Sequence, residues 1–290
     1  IMNEIVIVSG KGGTGKTSVV ASLACLIENK AMADCDVDAA NLSLVLSPRV
    51  REQKEFFAGG KAIIMPEECT GCGVCRDVCR FGAISEEFIV DPVSCEGCGA
   101  CRYYCPAGAV KFTTPLAGHC FICDTARGDP FVYAELLPGE ENSGKLVTMV
   151  RTEAKEKAVS AGLSRIIIDG PPGIGCPVIA SITGTSLAVA VTEPTASGIH
   201  DLDRIVQLAR HFEVPAAVIV NKSDINPDCT GSIIDYCKTN GVQVLGEVPY
   251  DREISEAQRH GKAIVEYAPG SPASHAIIGI AEHIKSLKKE

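Results

Sequence analysis

The ten residues "SGKGGTGKTS" at 9–18 restrict the fold of this chain more than any other stretch. They fit the pattern G-x-x-x-x-G-K-[ST] with Gly10, Gly15, Lys16 and Thr17. The β-branched run "EIVIV" at 4–8 precedes them, and "SVVASLACLIE", with helical spacing, follows. A glycine-rich turn from a buried strand into a helix lets backbone N–H groups converge on phosphate oxygens at the helix N-terminus. The run Gly10, Lys11, Gly12, Gly13, Thr14, Gly15, Lys16, Thr17 and Ser18 is therefore the expected nucleotide cradle. Lys16 is expected on the β- and γ-phosphates and the Thr17 hydroxyl on Mg²⁺.

Strand and helix patterns alternate again after residue 150: "RIIIDG" at 165–170, "SLAVAVTEP", "AAVIVNKSD" and "VQVLGEVPY" as strands, with helical stretches between them and a last one over 271–288. This predicts an α/β fold, a parallel β-sheet covered by helices on both faces. A cysteine block interrupts the pattern. The expected organisation is a first part of the nucleotide domain at 1–65, an inserted α+β unit at 66–106, and a second part at 107–290. Within the second part, 107–150 reads as an irregular connecting region. The 290 residues are 46% hydrophobic and 22% charged, an ordinary balance for a globular chain. A net charge of −9 argues against nucleic acid as the main partner. No stretch approaches a membrane span, and the opening apolar run is too short for a signal peptide, so the expectation is a cytoplasmic protein without stable membrane insertion.

Fifteen cysteines in such a setting point to metal rather than disulfides. Eight fall in a tandem repeat: Cys69-x2-Cys72-x2-Cys75-x3-Cys79, then Cys95-x2-Cys98-x2-Cys101-x3-Cys105-Pro106. Soft thiolates suit iron–sulfur clusters, and the tight spacing lets one loop give three ligands. Zinc is the alternative for any four cysteines. The paired runs resemble bacterial two-cluster ferredoxins, in which the fourth cysteine of each run ligates the other cluster. The resemblance implies one 4Fe–4S cluster on Cys69, Cys72, Cys75 and Cys105 and a second on Cys79, Cys95, Cys98 and Cys101. Arg80 departs from that pattern, where proline often follows the fourth cysteine. A further pair, Cys120 and Cys123 in "GHCFICD", matches no ferredoxin position. Three readings stay open for it: an extra or bridging metal site, a redox-active or partner-facing thiol pair, or a structural accident.

With Lys11, "KGGTGKT" resembles the deviant Walker A loop of the MinD/ParA/Mrp and nitrogenase-iron-protein group of ATPases. In that group a second lysine crosses to the nucleotide of a partner subunit, which implies a homodimer built through Lys11. "DCDVDAANLSL" at 34–44 resembles the group's first switch, so Asp36 is expected to position the attacking water and Asp34 to help organise Mg²⁺. The resemblance also places Asp169, at the end of "IIIDG", on Mg²⁺, and Gly173 near the γ-phosphate. Asn221 is the candidate for reading adenine. "NKSD" also fits the guanine-reading N-K-x-D, with Asp224 on the base, which leaves GTP open beside ATP.

Two functions are consistent with these features. One is an ATPase that couples hydrolysis to electron transfer, or to iron–sulfur or metal-cofactor assembly on a partner protein. The other is a positioning or partition ATPase in which the clusters sense redox state. In "HAIIGIAEHIKSLKKE" an apolar stripe is read as packing against the core rather than on a membrane.

Overall fold

Alternating apolar runs and short turns produce eleven strands and eleven helices among the residues described, 2–140 and 143–286 of this computed structural model. The strands are β1 (Asn3–Ser9), β2 (Ala31–Asp34), β3 (Arg49–Phe57), β4 (Lys61–Ile64), β5 (Val110–Thr113), β6 (Leu116–Asp124), β7 (Pro130–Leu136), β8 (Arg165–Pro172), β9 (Leu187–Thr192), β10 (Ala216–Asn221) and β11 (Gln243–Val248). The helices are α1 (Lys16–Leu26), α2 (Leu42–Leu46), α3 (Val74–Asp77), α4 (Ala100–Tyr103), α5 (Ser143–Ser160), α6 (Cys176–Ile182), α7 (Ala196–His211), α8 (Pro227–Thr239), α9 (Arg252–Arg259), α10 (Ile264–Tyr267) and α11 (Pro272–Ser286).

Nine strands join in one sheet in the order β11-β10-β9-β1-β8-β2-β7-β6-β3. Parallel pairing links β1 to β8 and β9, β2 to β7 and β8, and β10 to β9 and β11. Helices cover both faces, so the central strands read as unbroken apolar runs: Ile5, Val6, Ile7 and Val8 are all buried. On one face Ile5, Ile7, Met32 and Ile167 pack with Val20 and Leu23 of α1 and with Ile277, Ile280 and Ile284 of α11. The apolar stripe of the last helix therefore faces the core. No helix among the described residues is long and apolar enough to cross a membrane.

The chain divides into two compact units, one of Ile1–Gln53, Cys120–Glu135 and Ser143–Glu290, the other of Lys54–His119 and Leu136–Asn142. The second unit reaches beyond 66–106 on both sides. Nor is 107–150 irregular: it holds β5, β6, β7 and the start of α5. Burial in β6 and β7 departs from strict alternation, which erases the period of two on which a strand is recognised in sequence. The polar "REQKEFF" lies in β3 at the rim of the sheet, where exposed charge is tolerated.

Within the second unit, β4 and β5 pair antiparallel, with Lys61 opposite Thr113 and Ile64 opposite Val110. The tandem cysteine runs fold alike. Gly73 (φ 82°) and Gly99 (φ 81°) take the left-handed conformation that starts α3 and α4, turning each loop back on itself. The apolar core of this unit is built from Ala62, Ile64, Ala83, Ile84 and Val110 together with the cysteines themselves.

Candidate functional site

The phosphate loop runs from the end of β1 into α1. Gly15 (φ 88°) caps α1 in the left-handed region, and a Cβ there would lie 2.2 Å from Asn221 Nδ2. That Nδ2 donates to the Thr14 carbonyl at 2.6 Å, so the end of β10 braces the loop. At the other end a Cβ on Gly10 would lie 2.2 Å from Asp201 Cβ on α7. The loop borders a cavity of about 780 Å³, lined also by Asp36, Pro171, Pro172, Asn221, Tyr250 and Gln258.

Lys16 Nζ lies 2.5 Å from Asp169 Oδ1 and 3.7 Å from Asp36 Oδ2. Burial alone would lower the Lys16 pKa, but the Asp169 carboxylate, with Asp34 and Asp36, outweighs it and raises the value. The lysine is therefore held charged. Burial raises the pKa of Asp36, and burial followed by the neighbouring Asp169 raises that of Asp34. Around the phosphate loop, three buried polar atoms have no hydrogen-bond partner among the described residues: Asp169 Oδ2, Thr14 Oγ1 and Asn221 Oδ1. All three belong to residues of the loop or of strands beside it. Groups of this kind fit a Mg²⁺-bearing nucleotide: the metal would satisfy Asp169 Oδ2, a phosphate oxygen the Thr14 hydroxyl, and an amino group of the base Asn221 Oδ1.

Lys11 is not a free loop charge. Its Nζ lies 2.6 Å from Glu193 Oε1 and donates to Ser197 Oγ at 3.3 Å. The second oxygen of Glu193 accepts from Lys222 Nζ at 3.0 Å, and Lys222 also donates to the Gly13 carbonyl at 3.1 Å. Burial would raise the pKa of Glu193, yet the bonds from Lys11 and Lys222 more than offset it and lower the value. Neither Glu193 nor Lys222 carries a role assigned by the sequence motifs. The only signal for Glu193 is a carboxylate directly after an apolar strand, in "VTEP", the placement that singled out Asp169.

Other expected residues are arranged differently. Both carboxylate oxygens of the fully buried Asp34 accept backbone N–H groups, from Asp36 at 3.0 Å and Leu42 at 3.1 Å, so Asp34 builds the turn rather than facing the cavity as a Mg²⁺ organiser. The Gly173 N–H donates to the Ser9 carbonyl at 2.8 Å and does not point to a phosphate position. Asp224 accepts from the Tyr250 N–H at 2.6 Å and fixes the 249–251 loop, which itself lines the cavity. Thr17, Ser18 and Asp36 do line it, as do Asp38, Tyr250 and Gln258.

The eight tandem cysteines sort into two separate cavities of the second unit. Cys79, Cys95, Cys98 and Cys101 line one, beside Phe81, Ile84 and Phe112. Cys69, Cys72, Cys75 and Cys105 line the other, beside Ile64, Phe88 and Val110. Each cavity thus takes three cysteines from one run and the fourth from the other. Among the described residues, no group of three or more His, Cys, Asp or Glu is placed to hold a single metal ion. Four thiols spread around a cavity suit a cluster several atoms across, whereas a lone zinc ion needs all its ligands converging within bonding distance. The donor set, all thiols in an apolar cavity, fits an iron–sulfur cluster.

Cys120 and Cys123 are not brought together. Three residues apart on β6, they lie on opposite faces. Cys123 joins the core with Phe121, on its own face. Both are buried, and their places on opposite faces of β6 do not bring the two thiols to one site.

A parallel sheet, a glycine loop cradling a helix N-terminus, and a lysine buried between carboxylates define a P-loop nucleotide-binding protein. Residues 5–264 match the CobQ/CobB/MinD/ParA nucleotide binding domain, and the chain belongs to that family. An uncharacterised protein of Methanocaldococcus jannaschii is 38% identical over 230 residues, 78% of this chain and 80% of its own length. An iron-sulfur cluster carrier protein of Pyrococcus furiosus is 34% identical over 160 residues, about half of each chain (51% and 54%). Among solved structures, the septum site-determining protein MinD of Pyrococcus horikoshii, complexed with Mg-ADP, superposes with a TM-score of 0.59 at 20% identity, covering 99% of this chain and 97% of that one.

Proposed function

We propose that this protein binds and hydrolyses ATP with Mg²⁺ as a nucleotide-dependent homodimer, and couples that cycle to electron transfer with a partner protein through two 4Fe–4S clusters in its second unit. The observation that carries this reading is the sorting of eight cysteines into two four-thiol cavities in a chain with an intact phosphate loop. Cys69, Cys72, Cys75 and Cys105 would hold one cluster, and Cys79, Cys95, Cys98 and Cys101 the other. When bound, such clusters supply reversible one-electron chemistry.

In the nucleotide cavity, backbone N–H groups of 12–17 bind the phosphates and Lys16 neutralises them. Thr17 and Asp169 would hold Mg²⁺. Asp36, the carboxylate of this group that lines the cavity, orients the attacking water. The bond from the Tyr250 N–H to one oxygen of Asp224, the carboxylate that would read guanine, supports ATP over GTP. Lys11 reaches the partner's nucleotide and links closure of the dimer to ATP.

Electron transfer is favoured over delivery of a cluster to a client. Cys75, Cys95 and Cys101 are buried within the apolar core of their unit, so surrendering a cluster would open that core. The relative called an iron-sulfur cluster carrier protein supports the assembly reading instead, over half of its length. An experiment separates the two. Anaerobically purified protein should contain about eight irons per chain, retain them through repeated ATP turnover, and capture a partner from extract in an ATP-dependent way. Bound zinc in place of iron would remove the cluster assignment, and transfer of iron to an apo-acceptor would move the role to assembly.

A further inference from the structure

We propose that Glu193 is a latch that holds Lys11 within its own subunit until nucleotide draws the lysine away. The inference rests on the reading of Lys11 as the lysine that crosses to the partner's nucleotide. As placed here, Lys11 is already bound in cis, 2.6 Å from Glu193 Oε1 and 3.3 Å from Ser197 Oγ.

Three features suit this arrangement to switching. First, the acceptor is fixed and the donor is not. Glu193 sits at the junction of β9 and α7, where its carbonyl accepts the Thr195 N–H at 2.8 Å. Gly198 packs so closely on it that a Cβ there would lie 2.2 Å from the Glu193 carbonyl oxygen. The Glu193 side chain is 15% exposed, against 37% for Lys11. Second, two lysines share one carboxylate. When Lys11 leaves, Lys222 at 3.0 Å still neutralises Glu193, so release strands no buried charge. Third, Lys222 also donates to the Gly13 carbonyl, tying the network to the loop that grips the phosphates. A polyphosphate carries several negative charges and outcompetes a single carboxylate for Lys11. The latch thus keeps two nucleotide-free subunits from offering their crossing lysines to each other.

The test measures dimer formation by light scattering against the concentration of a non-hydrolysable ATP analogue, for the full chain with its cofactors. Glu193→Gln should dimerise at about 5-fold lower analogue concentration, the equivalent of a partly exposed ion pair worth ~1 kcal/mol. Analogue binding at protein concentrations too low for dimers should stay within about 2-fold of wild type, a readout that a merely structural loosening of the loop would weaken. A midpoint equal to or above wild type overturns the latch. Ser197→Ala, which removes one hydrogen bond and no charge, should shift the midpoint the same way by about 2-fold. If Glu193→Gln does not fold, an unshifted Ser197→Ala midpoint overturns the latch instead. Failure of the underlying reading looks different: wild type stays monomeric with the analogue, or Lys11→Ala dimerises as well as wild type, and either result removes latch and crossing lysine together.

Discussion

The Lys16 ammonium lies 2.5 Å from Asp169 Oδ1, both side chains almost wholly buried, and this bridge ties the phosphate loop to β8. Asp34 and Asp36 add negative charge around the same ammonium. Without nucleotide, one lysine is therefore the counter-charge for a cluster of carboxylates. Lys16→Ala should leave Asp169 buried without its partner and destabilise the nucleotide-free protein by about 3–5 kcal/mol, read as a lowered denaturation midpoint in urea. ATP turnover should be lost as well. A midpoint within error of wild type would show that the carboxylates take up protons or solvent at no cost.

Gly15 is confined by both its backbone and its neighbour. At φ 88° any side chain is strained, and a Cβ would collide with Asn221 Nδ2. Gly15→Ala should cost about 1–3 kcal/mol and push Asn221 off the Thr14 carbonyl, weakening ATP binding by at least about tenfold. Isothermal titration on folded variant protein checks this, and unchanged affinity would mean that the brace from β10 is dispensable.

The cavities assign each fourth cysteine to the opposite run. Cys79→Ser should therefore perturb the cluster otherwise held by Cys95, Cys98 and Cys101, and Cys105→Ser the one held by Cys69, Cys72 and Cys75. Pairing either with a change in the run it completes, Cys79→Ser with Cys98→Ser for example, should remove about four of eight irons and leave one cluster's EPR signal. Loss of both signals from Cys79→Ser/Cys98→Ser would contradict two separate cavities. Cys120→Ser and Cys123→Ser should leave the iron content unchanged, because β6 points them to opposite faces.

Acid should weaken the Glu193 network. The folded pKa of Glu193 lies below its ordinary 4.5, with burial opposing and the Lys11 and Lys222 bonds prevailing. Its stabilisation is then complete above the unfolded value and disappears as pH falls through the lower folded value. Glu193→Gln should cost up to about 1 kcal/mol near neutral pH, and the difference from wild type should shrink below pH 4.5. Thermal melts across pH 3–7, about the range that spans both states, would reveal the convergence; a constant offset would mean that the two lysines do not set the ionisation of Glu193.

Asp224 holds the Tyr250 amide rather than a base. Asp224→Ala should loosen the 249–251 loop and weaken ATP binding by less than about tenfold, while GTP gains nothing. Competitive binding of the two nucleotides distinguishes this from a guanine-reading Asp224, whose removal would selectively cost GTP.

The phosphate loop, its strand and its helix were legible because the motif is local: each glycine and Lys16 act through neighbours in the chain. The repeat of the cysteine runs was legible because its spacing is local, and the resemblance to ferredoxins implies the grouping proposed for the clusters. The strands of 107–150 were not, since burial on both faces hides their period. The engagement of Asp34 with the N–H groups of Asp36 and Leu42 also escaped sequence reading, because an exposed ligand and a turn-forming carboxylate share one residue type.

Sequence alone set the chemistry available here: a phosphate cradle, carboxylates at strand ends, and two sets of four thiols. Only the folded chain decided which groups meet. Glu193 closes on Lys11 across 182 residues and Asn221 on Thr14 across 207, because β9 and β10 end on the same side of the sheet as β1. The same folding separated Cys120 from Cys123 across a single strand. Spacing along a chain fixes contacts only where one turn or helix spans them; beyond that range, pairing in the sheet determines which side chains share a site.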